Sequence, residues 1–126
     1  MSAAGDVARA YVESFASADP DAIAAHVTDD FVNEHTAALG SGCTGRDDYR
    51  RRLPGFLAAF PGLAYEVEAV IGDGPTVAVP YRMTASPPEG DVSLRGVMVI
   101  EVHDGLVAHR TDYWDALTYL RQTGQA

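Results

Sequence analysis

Near the end of the chain, Arg110, Asp112 and Trp114 stand two residues apart, with Thr111 and Tyr113 between them. On an extended strand side chains alternate between faces, so a guanidinium, a carboxylate and an indole share one side. Turned into an apolar hollow, this set makes a small-molecule site. Asp112 would there take a proton from an acidic carbon or hold a water, with Arg110 and Trp114 pulling its ionisation in opposite directions. At the rim of a flat sheet the same Asp and Arg would form only a structural ion pair. A second alternating run, Phe31, Asn33 and His35, puts two polar groups on the face of an apolar ring. Histidine moves protons both ways near neutral pH, which suits His35 to acid–base work. The competing reading is local: His35 capping a loop, and Asn33 bonded within a turn.

Arg82 sits among Val77, Val79, Tyr81 and Met83 and is read as the partner that keeps Asp112 ionised, with Thr84 following on the same face. Tyr11 falls in an apolar helical stripe, where a core role comes first. Its hydroxyl, like the Asn33 amide, is also a candidate donor to a developing oxyanion. Phe31, Leu53, Leu57, Met98 and Trp114 are assigned to the apolar walls. The histidines are His26, His35, His103 and His109, without close ligand spacing, and Cys43 is isolated, so no metal site is expected. The chain lacks a Gly-x-Ser-x-Gly elbow, a phosphate-binding loop and a dinucleotide fingerprint. Acid–base chemistry without a cofactor remains.

The elements that must position these residues change period midway. Val7, Ala8, Tyr11, Val12 and Phe15 recur with helical spacing over 3–18. A short helix follows, with Asp19 as N-cap and Pro20 at its first position. A strand over Phe31–His35 leads to a Gly40-Ser41-Gly42 loop. A third helix, from Gly45, carries Tyr49, Leu53, Phe56, Leu57 and Phe60, and Pro54 is expected to kink or split it. The Arg50-Arg51-Arg52 run on this helix reads mainly as a solvated face. Beyond Pro61-Gly62 the period is two: one strand over Leu63–Ile71, then Thr76–Ser86, Val92–Val102 and Leu106–Asp115, joined by short turns and therefore antiparallel neighbours. Asp115 is placed as N-cap of a terminal helix. Helices first and a meander afterwards make an α+β fold.

The 126 residues form one domain, 1–126, with 47% hydrophobic residues and a net charge of −9. That charge argues against nucleic acid and anionic membrane surfaces as partners. A single cysteine excludes an internal disulfide and fits a reducing compartment. With no run of membrane-spanning length and no signal-peptide pattern at the start, the expected location is the cytoplasm.

Thr28-Asp29-Asp30-Phe31, Thr44-Gly45-Arg46-Asp47, Phe60-Pro61-Gly62-Leu63, Val102-His103-Asp104-Gly105-Leu106-Val107 and Tyr113-Trp114-Asp115 through Gly124, in this order, resemble the nuclear transport factor 2-like superfamily, and within it the SnoaL-like polyketide cyclase branch. The resemblance covers nearly the whole chain. It implies a cone, a curved mixed sheet wrapped around N-terminal helices (cystatin-like in class), and a homodimer formed through the outer sheet face. It also implies an apolar small-molecule substrate and Asp112 as acid–base for an aldol ring closure. Against limonene epoxide hydrolase, Asp112 and Arg82 match two of an Asp-Arg-Asp set, Thr84 replaces the other Asp, and Asn33 and His35 fall at water-holding positions. Against ketosteroid isomerase, Tyr11 falls at the oxyanion tyrosine, Trp114 at a pocket tryptophan and His35 at the general base, while Met98 replaces the second oxyanion donor. The same cone also hosts binding and dimerisation domains without catalysis.

Overall fold

Ala8, Tyr11 and Val12 bury one face of helix α1 (Ala3–Ser14) in a computed structural model that describes residues 3–126. The helix tightens into a 3-10 turn (Phe15–Ser17) and stops at Ala18, whose φ of 53° ends it. Asp19 caps α2 (Pro20–Ala24) by accepting a hydrogen bond from the Asp21 amide at 3.0 Å. Helix α3 (Arg46–Ala59) runs through Pro54 as one element, against the expected break. Pro54 and Gly55 lie on its exposed side, so the missing N–H falls where water can replace it.

Seven strands form one sheet: β1 (Val27–His35), β2 (Cys43–Thr44), β3 (Ala64–Val67), β4 (Ile71–Asp73), β5 (Thr76–Ala85), β6 (Val92–His103) and β7 (Leu106–Trp114). Their order is β2-β1-β7-β6-β5-β3, with β4 also on β5. The single strand expected over Leu63–Ile71 is two. Its register on β5 breaks between them, where the Glu68 amide bonds the Pro80 carbonyl at 2.9 Å. All pairs are antiparallel except β1 with β7, which runs parallel and joins the chain's first strand to its last.

The sheet curls around α1, which packs against β3, β5, β6 and β7. Helix α3 closes the other side over β1. Its first residue, Arg46, donates from Nε and Nη2 to the Val27 carbonyl at 3.1 and 2.8 Å, where the β1–β7 register slips. Asp115 caps α4 (Ala116–Gln122) through the Thr118 amide at 3.0 Å. Gln122 then clips this helix to β6, accepting from the Ser93 amide at 2.8 Å and donating to its carbonyl at 2.9 Å. The result is α+β, a mixed curved sheet with helices inside it. No helix among the described residues is long and apolar enough to cross a membrane.

Candidate active site

Parallel pairing of β1 with β7 sets Asn33 beside Arg110 and His35 beside Asp112. Both alternating runs therefore turn inward together. Arg110 and Asp112 are 3% and 2% exposed and Asn33 is buried, whereas Tyr113, one residue out of phase, is 49% exposed. Thr36 fixes the register just beyond, donating from its amide and its hydroxyl to the Asp112 carbonyl, each at 3.1 Å.

Asp112 is held at both oxygens. Oδ2 accepts from Arg110 Nη2 at 2.7 Å and Oδ1 from the Tyr81 hydroxyl at 2.6 Å. Arg110 Nη1 donates to the Tyr11 hydroxyl at 3.0 Å, and Tyr11 shares a 2.6 Å hydrogen bond with Tyr49. The guanidinium also lies 5.4 Å from the ring centre of Phe15 and 5.9 Å from that of Tyr11. Burial opposes the Arg110 charge, but Tyr11, Asp112 and the neighbouring phenols outweigh it and hold the group charged. Burial, joined by the Asp112 charge, pushes the Tyr81 phenol well above its usual range, and burial with Tyr11 does the same for Tyr49. Both stay protonated at neutral pH.

His35 stands apart from this bonded chain. Its Nδ1 is 3.9 Å from Asp112 Oδ2, close enough for charge to act but too long for a hydrogen bond. Nδ1, not Nε2, is the ring nitrogen shut in without a partner. That leaves Nε2 toward open space. Burial first, and the Arg110 charge second, hold the imidazole below its ordinary 6.5 against the opposing pull of Asp112. At neutral pH His35 is an uncharged base.

A cavity of about 310 Å3 opens beside these groups, lined by Asn33, His35, Leu53, Arg110 and Trp114 together with Phe15, Tyr49, Phe56, Phe60 and Tyr119. Leu39, Gly40, Ser41 and Arg52 surround it on the loop and helix side. A side chamber of about 70 Å3 reaches Asp112, Tyr81 and Met83, and His35 and Trp114 border both spaces. His35 thus borders both the main cavity and the chamber that reaches the buried carboxylate.

Several assigned residues fall elsewhere. Arg82 does not meet Asp112: it shares the outer face of β5 with exposed Thr84 and donates to Ser93 Oγ at 3.0 Å. Tyr81 and Met83 point inward, so strict alternation turns Arg82 out. The partner of Asp112 is Arg110, on its own strand. Phe31 and Met98 are fully buried core residues behind the cavity, Met98 directly across from Asp112 in the ladder. Leu57 packs on the core without lining the cavity. Tyr11 does not line the cavity and reaches it through Arg110 and Tyr49. An epoxide-hydrolase set built on Arg82 and position 84 is therefore not assembled. No cluster of metal-ligating side chains forms among the described residues.

Other residues escaped the sequence reading. Tyr81 reads as one more apolar strand residue, yet it donates to Asp112. The available signal was Gly96 in the middle of β6, opposite Tyr81 in the ladder. A Cβ there would lie 2.5 Å from the Tyr81 hydroxyl, so only glycine lets the phenol cross the strand. Gly40 does the same for His35, whose Cβ stands 2.4 Å from where a Gly40 side chain would begin.

The model of the SnoaL-like domain family matches residues 8–110. The chain belongs to the SnoaL-like family. Solved structures of the same fold cover nearly all of it. A hypothetical protein with a ketosteroid isomerase-like fold from Catenulispora acidiphila, in complex with trimethylamine, superposes with a TM-score of 0.87 at 14% identity, covering 96% of this chain and 94% of that one. An M. tuberculosis epoxide hydrolase of the limonene epoxide hydrolase-like type gives 0.82 at 20%, covering 98% and 90%. A protein from Shewanella putrefaciens, provisionally assigned as a SnoaL-like polyketide cyclase, gives 0.87 at 15%, covering 100% and 99%. These likenesses are ones of fold. No curated protein sequence matches the chain.

Proposed function

We propose that this protein is a cofactor-independent acid–base enzyme that moves a proton on carbon in an apolar small molecule, of the cyclase or isomerase type. The observation that carries this reading is that His35 borders the main cavity while its ring stands 3.9 Å from the buried Asp112 carboxylate. His35 Nε2 takes the proton from the guest, and the imidazolium that forms is stabilised by Asp112 across 3.9 Å. Arg110 and Tyr81 hold that carboxylate in place by a hydrogen bond to each oxygen, so little reorganisation is needed when the charge appears. Asp112 is thereby a charge partner rather than the group that touches substrate. Its side chain is 3% exposed against 16% for His35. Asn33 and Tyr49, which both line the cavity, are the candidate donors to the oxyanion left by proton removal.

Solvent-deuterium exchange tests this without knowledge of the product. A panel of cyclic and aryl ketones in heavy water, followed by proton NMR, is expected to include compounds whose α-hydrogens exchange faster with the protein. His35→Gln should slow that exchange at least about a hundredfold, the usual worth of a positioned general base. Undiminished exchange in the variant would overturn the assignment. A ligand-binding domain without catalysis is the second reading. It is favoured by one observation, that both Asp112 oxygens are already occupied, and it predicts binding of the same ketones without exchange.

A further inference from the structure

The walls and the charges of the main cavity point to a narrower class of guest. Phe15, Phe56, Phe60, Tyr119 and Trp114 form a continuous belt, with successive ring centres 6.4, 5.1, 6.1 and 6.1 Å apart. Flat faces and edges of this kind suit an aromatic body. A volume of about 310 Å3 lies at the small end of ligand cavities and fits a compact guest of one or two rings.

The charge lining this space is unlike that of the molecule. The protein carries −9 overall. Among the described residues, no Asp or Glu lines the main cavity, whereas two arginines do, Arg110 at its floor and Arg52 at its rim. Asp112 compensates Arg110 from behind. At the rim the balance is positive, because Asp48 alone receives both Arg51 and Arg52, each at 3.0 Å. Arg52 spends Nε on Asp48 and Nη1 on Ser41 and Gly42, while its Nη2 has no partner among the described residues. The side chain is half exposed and ready to meet a ligand. Burial is the largest cause of the lowered proton affinity of His35, and the Arg110 charge adds to it against Asp112.

We propose that the guest is a small aromatic carboxylate, whose ring fills the aromatic belt while its carboxylate is received by Arg52 at the rim. Nη2, the guanidinium nitrogen left without a partner among the described residues, can donate a charge-assisted hydrogen bond to a carboxylate oxygen. This rests on the cavity being the substrate site. It does not require the proton-transfer chemistry assigned to His35, so the two fail separately.

Titration calorimetry with naphthoate and with the uncharged isostere naphthamide tests it. Naphthoate should bind about tenfold more tightly, the ratio a charge-assisted hydrogen bond at a half-exposed site supplies. The preference should fall below about twofold in Arg52→Gln and persist in Arg52→Lys, which keeps the charge but not the ties to Ser41 and Gly42. Arg9→Gln, on α1 and outside the cavity lining, should leave it intact. Equal affinity for the two probes, no binding of either, or a preference that survives Arg52→Gln overturns the proposal. A naphthoate preference that disappears with Arg52 while His35→Gln leaves deuterium exchange untouched would sink the catalytic reading and sustain this one.

Discussion

His35 is the residue whose protonation state the site controls most directly, and its sign is fixed by the surroundings. Its folded-state affinity for protons lies below that of the unfolded chain, which is near 6.5, because burial and Arg110 disfavour the charge. Between 6.5 and the lower folded value the unfolded chain binds the extra proton, so stability rises with pH in that window and no such cost exists above it. Thermal melts taken from neutral pH downward should show part of the acid destabilisation removed in His35→Gln, with the remainder including His26, which burial shifts in the same direction. The same shift keeps the base form available below 6.5, so the acid limb of the exchange rate should lie there too. Tyr81→Phe tests the carboxylate's support. It deletes a 2.6 Å hydrogen bond to a buried charge. The expected loss is about 1.5–3 kcal/mol of stability by denaturant unfolding, with a slower exchange rate in the otherwise native protein and no further slowing when Tyr81→Phe is added to His35→Gln. Asp112→Asn is the harsher change. It leaves the Arg110 charge buried without its counter-ion, at a cost of about 3–5 kcal/mol, so its exchange rate has meaning only at temperatures where unfolding curves show it folded.

Among the elements, β7 was the most legible, because alternation is a local property and needs no knowledge of neighbours. It put Arg110, Asp112 and Trp114 inward from their spacing alone, as it did Asn33 and His35 on β1. The bond from Arg110 to Asp112 and the nearness of His35 depend instead on which strand lies beside β7 and in what register. Nothing local in either strand states that they pair in parallel. Arg82 shows the opposite error: alternation with Tyr81 and Met83 already turned it outward, and charge matching with Asp112 overrode a period that was correct. The β5–β6 crossing supplies its own test. Gly96→Ala puts a methyl group 2.5 Å from the Tyr81 hydroxyl and from the Tyr113 carbonyl. The phenol must leave Asp112 or the strands must part. A melting temperature lowered by several degrees, together with loss of the Tyr81-dependent part of the exchange rate, is the expected outcome.

At the scale of the whole molecule, helices followed by a meander were enough to place the chain in the α+β class, and the ordered motifs narrowed that to the family. The size of the hollow and its charge were not legible, since both depend on how far the sheet curls over α1 and on which side chains the loop after β1 carries to the rim. The pairing of β1 with β7 has a consequence for how the molecule comes into being. One half of the site is carried by the strand ending at His35 and the other by the strand ending at Trp114. A nascent chain that has reached only the β5–β6 hairpin owns His35 but nothing to set beside it. Folding therefore has to bring together segments far apart in sequence late in the process, a slow and cooperative search. A product truncated before Leu106 would lose the buried Arg110–Asp112 pair and the Trp114 wall in the same stroke.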